Sequence, residues 1–134
     1  MFVDACAIIS ILMREPTASN YEDALQTAEA PFTSALAAWE AVIILARPDK
    51  LACALSVSEI AVTRWLTDNS VELREPGSPR DVLAYAVAVA ERHGLGKRAL
   101  SNFDCFHYAH AKAAGAPLLT LDRLLRETDV ETRP

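Results

Sequence analysis

No apolar run in this sequence reaches the roughly 18 residues that a membrane span requires, and the opening Met1-Phe2-Val3-Asp4 has no basic stretch ahead of an apolar one, as an export signal would. Cysteine is scarce and odd in number. Cys6, Cys53 and Cys105 lie far apart, so neither a disulfide frame nor a CxxC metal site is expected, and the thiols are read as reduced. Net positive charge is missing as well: 13 Lys and Arg stand against 18 Asp and Glu, a formal charge of −5. That excludes a nucleic-acid binder working through a general basic surface. It does not exclude an enzyme that cuts nucleic acid with metal ions supplying the positive charge. Internal repeats, low-complexity segments and interdomain linkers are absent too. The expectation is a cytoplasmic protein with no membrane association.

What the sequence does have is apolar side chain to bury, 51% of 134 residues. This excludes disorder and suits one domain over residues 1–134. Residues 1–4 read as a short strand, and Ala5 to Leu12 as a helix stopped by Glu15-Pro16. Tyr21, Ala24, Leu25 and Ala28 share one face of a helix over Thr17 to Glu29. Pro31-Phe32-Thr33 is a second strand, after which Ser34 caps a helix running to Ala46. Further helices are expected over Leu51 to Leu66, Pro79 to His93 and residues 103–114, with strands at Ser70 to Leu73, Ala116 to Leu121 and Val130-Glu131. Short strands alternating with helices predict an α/β fold, a parallel sheet covered by helices.

Four carboxylates interrupt this pattern where chemistry is usually found. Asp4 closes the first strand and Asp122 the strand over Ala116 to Leu121, and open parallel sheets bind ligands outside the carboxyl ends of their strands. Either Asp equally suits a helix cap. Glu40 is the only ionisable residue between Thr33 and Arg47, in a helix with no second polar residue near it to mark a wet face. Asp104 opens a helix after Ser101-Asn102, where the helix dipole alone would favour it. Gathered at one sheet edge, four carboxylates repel one another. Their stable use is to hold hard divalent cations such as Mg²⁺ or Mn²⁺, which can activate water and stabilise a leaving oxygen in phosphodiester cleavage.

Four blocks carry a family resemblance: Met1 to Ile8 with Asp4, Thr33-Ser34 through Trp39-Glu40, Asp104 through Leu119, and Thr120-Leu121-Asp122. In this order and spacing they resemble PIN-domain ribonucleases, and more closely the VapC toxins of bacterial toxin–antitoxin pairs. The resemblance implies a three-layer α/β/α sandwich with a short parallel sheet of four to five strands. It implies Mg²⁺- or Mn²⁺-dependent endoribonuclease activity, with Asp4, Glu40, Asp104 and Asp122 as catalytic and metal-binding residues and Asp129 as a substitute for Asp122. It also implies a cognate VapB-type antitoxin whose tail blocks the site, an RNA substrate, and a homodimer.

Two departures stand out. Cys6 occupies a position often held by Ser, and Ser101-Asn102-Phe103 replaces a frequent Asn-Phe-Gly. The second keeps open the alternative of a weakly active or inactive member that only binds a partner. Ser34, Cys6, His107, Lys97 and Arg98 are expected to support the acids or touch substrate. His107 and His110 follow Asp104 at about 60° and 120° around the helix, so zinc shared among the three is not expected. His107 is placed at the site rim, and His110 is packed or at a dimer surface. Arg92, His93, Lys97 and Arg98 form the only basic cluster, a solvated loop or a contact for RNA phosphates. A phosphoaspartate enzyme is disfavoured because it wants a second Asp where Cys6 stands, and a receiver domain because it wants an acidic pair before Asp4.

Overall fold

The structure is a computed structural model and describes residues 1–94, 96 and 98–134. Along the chain run β1 (Phe2–Val3), α1 (Ala5–Leu12), α2 (Ala18–Gln26), β2 (Phe32–Thr33), α3 (Ala35–Leu45), α4 (Leu55–Asp68), β3 (Glu72–Leu73), α5 (Pro79–His93), α6 (Asn102–Ala113), β4 (Leu118–Leu119) and β5 (Thr132–Arg133). A single 3₁₀ turn, Leu125–Glu127, lies between the last two strands. The strands form one parallel sheet in the order β3-β2-β1-β4-β5. The first strand is therefore central, with Phe2 opposite both Phe32 and Leu118.

Side chains alternate across a strand, and two-residue strands are enough to build two cores here. Phe2, Phe32 and Leu118 face α5 and α6, packing with Val82, Ala86 and Tyr108. Val3 and Leu119 face the other way, packing with Ile8, Tyr21, Leu45 and Trp65 of α1 to α4. The result is the expected α/β/α sandwich. No helix among the described residues is long and apolar enough to cross a membrane.

Caps set where the helices start. Ser34, Ser78 and Ser101 each accept a hydrogen bond from the backbone N–H three residues on, and Pro79 at the head of α5 needs no N–H partner there. Gly77 turns the chain into α5 with φ +72°, and a Cβ there would lie 2.8 Å from the Ala113 Cβ, so only glycine lets this turn rest on the end of α6.

Some boundaries differ from the pattern. The helix expected from Leu51 begins at Leu55, because Ala52 takes a left-handed φ of 48° and the Leu51 N–H turns back to the Leu45 carbonyl. The last strand is Thr132–Arg133, not Val130-Glu131: the Leu118 and Thr120 N–H groups donate to the Glu131 and Arg133 carbonyls, which sets the pairing two residues later.

Candidate metal centre at the sheet edge

The carboxyl ends of β1, β2 and β4 converge at the centre of the sheet, beside the point where the strand order reverses. Asp4 follows β1 and is 3% exposed. It caps α1 by accepting the Cys6 N–H at 3.5 Å, so the capping expectation is met. Its Oδ2 accepts the Thr120 hydroxyl at 2.7 Å and the Cys6 thiol at 3.0 Å. Cys6 thus supports Asp4 in place of the more usual serine. Burial and the neighbouring Asp4 charge push the Cys6 thiol well up, so it stays protonated.

His107 is wholly buried and stands between two of the acids, which corrects its expected place at the rim. Its Nδ1 lies 2.8 Å from Asp4 Oδ1 and its Nε2 lies 3.2 Å from Glu40 Oε2. These are close contacts without hydrogen-bond alignment: both ring nitrogens and Glu40 Oε2 are buried with no hydrogen-bond partner. The helix-wheel angle from Asp104 was sound, but it could not show that this face of α6 lies against β1 and α3. Of the two places expected for His110, packed or at a dimer surface, the structure shows it packed, with Nε2 3.2 Å from Glu75 Oε2 and pointing to a different acid from His107.

The electrostatics follow from burial and charge. Burial alone would raise the Asp4 pKa, but the charge of His107 and the donors from Cys6 and Thr120 outweigh it and hold the carboxyl at about 2. Glu40 goes the other way. Burial pushes it up to about 7, with His107 opposing and the Asp4 and Asp104 charges adding. Burial would depress His107, yet Asp4, Glu40 and Asp104 together raise it.

Asp104 acts on both Glu40 and His107 electrostatically but is held in a capping box: its Oδ2 accepts the Ser101 N–H at 2.9 Å while its own N–H donates to Ser101 Oγ at 3.1 Å. Replacing the frequent Gly by Phe103 leaves this turn well formed. Ser34 is fully buried and caps α3 through the Ala37 N–H at 3.2 Å. Asp122 is exposed and caps the 3₁₀ turn, its Oδ1 accepting from Leu124 and Leu125 at 2.8 and 3.0 Å. Its backbone N–H reaches Thr120 Oγ1 at 3.1 Å, one step from Asp4. Asp129 sits elsewhere, bound by the Tyr108 hydroxyl at 2.6 Å and by Lys112 Nζ at 2.9 Å, towards the other end of α6 from Asp104. Arg98 is exposed, 4.0 Å from Glu127. Lys97 lies outside the described residues.

Two contributors escaped the sequence reading. Thr120 was legible only as part of a block ending in Asp122, yet its hydroxyl is the atom that meets Asp4. Tyr21 looked like one more apolar residue of α2, but its hydroxyl accepts the Leu121 N–H at 3.0 Å and lies 3.3 Å from the Cys6 thiol.

The donor set fits a divalent ion. One atom each from Asp4, Glu40 and His107 lie within 4.8 Å of one another, the only such group of three among the described residues. Unpartnered buried polar atoms are uncommon and call for a partner. The PIN domain family model matches residues 1–131. The chain belongs to the PIN domain family. No curated protein sequence matches it. Among solved structures, the fold of this PIN domain is similar to VapC20 of Mycobacterium tuberculosis, described as a toxin that cleaves the sarcin–ricin loop: TM-score 0.71, 17% identity, covering 99% of this chain and 98% of that one. It is also similar to VapBC2 of Rickettsia felis bound to a promoter DNA fragment (TM-score 0.71, 16% identity, 98% and 96% covered). A third likeness is to PAE2754 of Pyrobaculum aerophilum (TM-score 0.62, 22% identity, 98% and 81% covered).

Proposed function

We propose that this PIN domain is a metal-dependent endoribonuclease, the toxin of a VapBC-type toxin–antitoxin pair. The observation that carries the reading is the convergence of Asp4, Glu40 and His107 at the carboxyl ends of the strands, with Asp104 close enough to act on them. Asp4 and Glu40 would hold Mg²⁺ or Mn²⁺, with Asp104 and Asp122 completing the acidic set. Such an ion supplies charge neutralisation and an activated water for phosphodiester hydrolysis. No Ser-His-Asp triad is needed.

The protein's own contribution is positioning. Thr120 and Cys6 occupy Asp4 Oδ2 and leave Oδ1 facing His107. Glu40, with its pKa pushed up to about 7, is a carboxyl that can exchange a proton near neutrality. Ser101 fixes the Asp104 carboxylate at the head of α6 through the capping box.

The antitoxin has a suitable dock. An apolar groove of about 360 Å³ runs between α3 and α4, lined by Trp39, Val42, Leu55, Val62 and Leu73. Trp39 is 48% and Leu55 48% exposed, a patch of the kind that marks a protein interface. The exposed Leu83 and Val87 of α5 offer a separate face for a second copy of the chain.

The test is cleavage of total cellular RNA by purified protein in Mg²⁺, Mn²⁺ or EDTA, with Asp104→Asn as control. Discrete cuts that need metal and vanish in the variant are expected. No cleavage in any metal, from folded protein free of antitoxin, would favour the partner-binding alternative.

A further inference from the structure

We infer that His107 is itself a metal donor: its Nε2 and Glu40 Oε2 bind one ion together, and this mixed nitrogen–oxygen pair selects a first-row transition ion such as Mn²⁺ over Mg²⁺. The inference rests on the metal-dependent reading above; in it His107 takes the place of Asp4 beside Glu40 on the ion, Asp4 orients His107, and a metal preference follows.

The argument starts from burial. His107 is wholly buried between β1 and α3, and neither ring nitrogen has a hydrogen-bond partner. A buried imidazole left so is costly unless something outside the protein completes it. The rings of Phe2 and Phe103 flank it, with centroids 6.1 and 6.5 Å away, and hold it in place.

The two nitrogens are not equivalent. Nδ1 faces Asp4 Oδ1 at 2.8 Å, and Asp4 is locked from its other oxygen by Thr120 and Cys6. A histidine that binds metal through one nitrogen characteristically presents the other N–H to a carboxylate, which fixes the tautomer. Asp4 Oδ1 is within reach of that N–H once the ring turns into line with it, and the Nε2 lone pair is then left on the side of Glu40. There, Nε2 and Oε2 are 3.2 Å apart with both atoms unpartnered. Adjacent donors on one octahedral ion, with bonds of about 2.1 Å, stand roughly 3.0 Å apart. Two atoms that do not bond each other yet sit at that spacing suit one shared ion.

The chemistry of the pair then selects among ions. Mg²⁺ prefers oxygen donors and gives up water reluctantly. An imidazole nitrogen moves the preference towards first-row transition ions, in the order of their general affinity for nitrogen sites.

The test uses Mn²⁺ as its own probe. Pulsed electron paramagnetic resonance on the full chain with one equivalent of Mn²⁺ is expected to show coupling to a directly bound nitrogen-14. The coupling should change to that of nitrogen-15 when the histidines are nitrogen-15 labelled, and disappear in His107→Asn. Mg²⁺ competition against bound Mn²⁺ should show at least about a tenfold preference for Mn²⁺ in the wild type, shrinking in the variant. The labelled wild type settles the ligand even where the variant folds poorly. Bound Mn²⁺ without nitrogen coupling, together with metal-dependent RNA cleavage, would overturn the inference and leave the nuclease reading standing: His107 would then be a counter-ion between two acids. No bound Mn²⁺ at all would overturn both.

Discussion

Thr120 donates its hydroxyl to Asp4 Oδ2 over 2.7 Å and ties the carboxyl end of β4 to that of β1. Thr120 Oγ1 in turn accepts the Asp122 N–H at 3.1 Å, so one side chain connects the central acid to the turn carrying another. Thr120→Val keeps the shape and removes both bonds. It should cost about 1–3 kcal/mol, the usual penalty for leaving a buried polar partner unsatisfied, as read by urea unfolding at neutral pH. RNA cleavage should fall with it. Unchanged stability and unchanged cleavage would show that Asp4 is held by Cys6 and His107 alone.

The metal-free protein should have an unusual pH profile. Glu40 has a folded pKa of about 7 against an ordinary 4.5. Between those values the unfolded chain releases the proton and the folded chain keeps it, so stability falls as pH rises through this window, by on the order of 3 kcal/mol. His107, raised above its ordinary 6.5, contributes stability that is present below that value and is also lost on the alkaline side. Asp4 has the opposite sign: depressed from 3.8 to about 2, it contributes above its ordinary value and is lost as pH falls through 2. Melting temperature in EDTA should therefore drop between pH 5 and 8. Glu40→Gln should flatten that drop and raise the neutral-pH melting temperature by several degrees while abolishing cleavage. A level profile in the wild type would refute the buried, uncompensated Glu40.

The choice of fourth acid can be made with two variants. Asp129 is engaged by Tyr108 and Lys112 away from Asp104, so Asp129→Asn should leave the RNA cleavage rate within about twofold. Asp122→Asn should reduce cleavage by roughly tenfold or more, a loss of about 1.4 kcal/mol or more of transition-state stabilisation. Gel-based cleavage rates at saturating metal decide between them, and the reverse ranking would move the fourth acid to Asp129.

Occupation of the α3–α4 groove can be separated from catalysis. Leu55→Ser removes an apolar side chain that is 48% exposed and remote in sequence from every acid of the site. It should weaken the complex with the antitoxin by about tenfold, the worth of one apolar contact, and leave RNA cleavage by the free protein unchanged. Calorimetry on the two purified proteins measures the first, a cleavage assay the second. Equal affinity for both forms would place the antitoxin elsewhere.

The starts of α1, α3 and α5 were legible because Asp4 and Ser34 are capping residues and Pro79 suits a first helical turn. The layers were legible because short strands alternate with helices along the chain, which calls for a parallel sheet covered on both faces. The start of α4 was not, since it depends on a left-handed Ala52 and a backbone bond back to Leu45, neither of which leaves a mark on side-chain periodicity. In the site, each acid could be located on its own strand end or helix. The central role of His107 could not, because helical spacing gives the direction a residue points but not what stands opposite. Thr120 was hidden for a similar reason: its importance lies in Asp4, 116 positions earlier.

Because β1 is the middle strand and pairs with both Phe32 and Leu118, the sheet cannot be completed from any early fragment of the chain. Asp4 meets Thr120 only once the chain has grown 116 positions past it. Such distant pairings make for slow folding, and domains fold as units during synthesis. A growing chain of this PIN domain therefore carries Asp4 long before the partners that position it, so the acids come together only late in the synthesis of the domain.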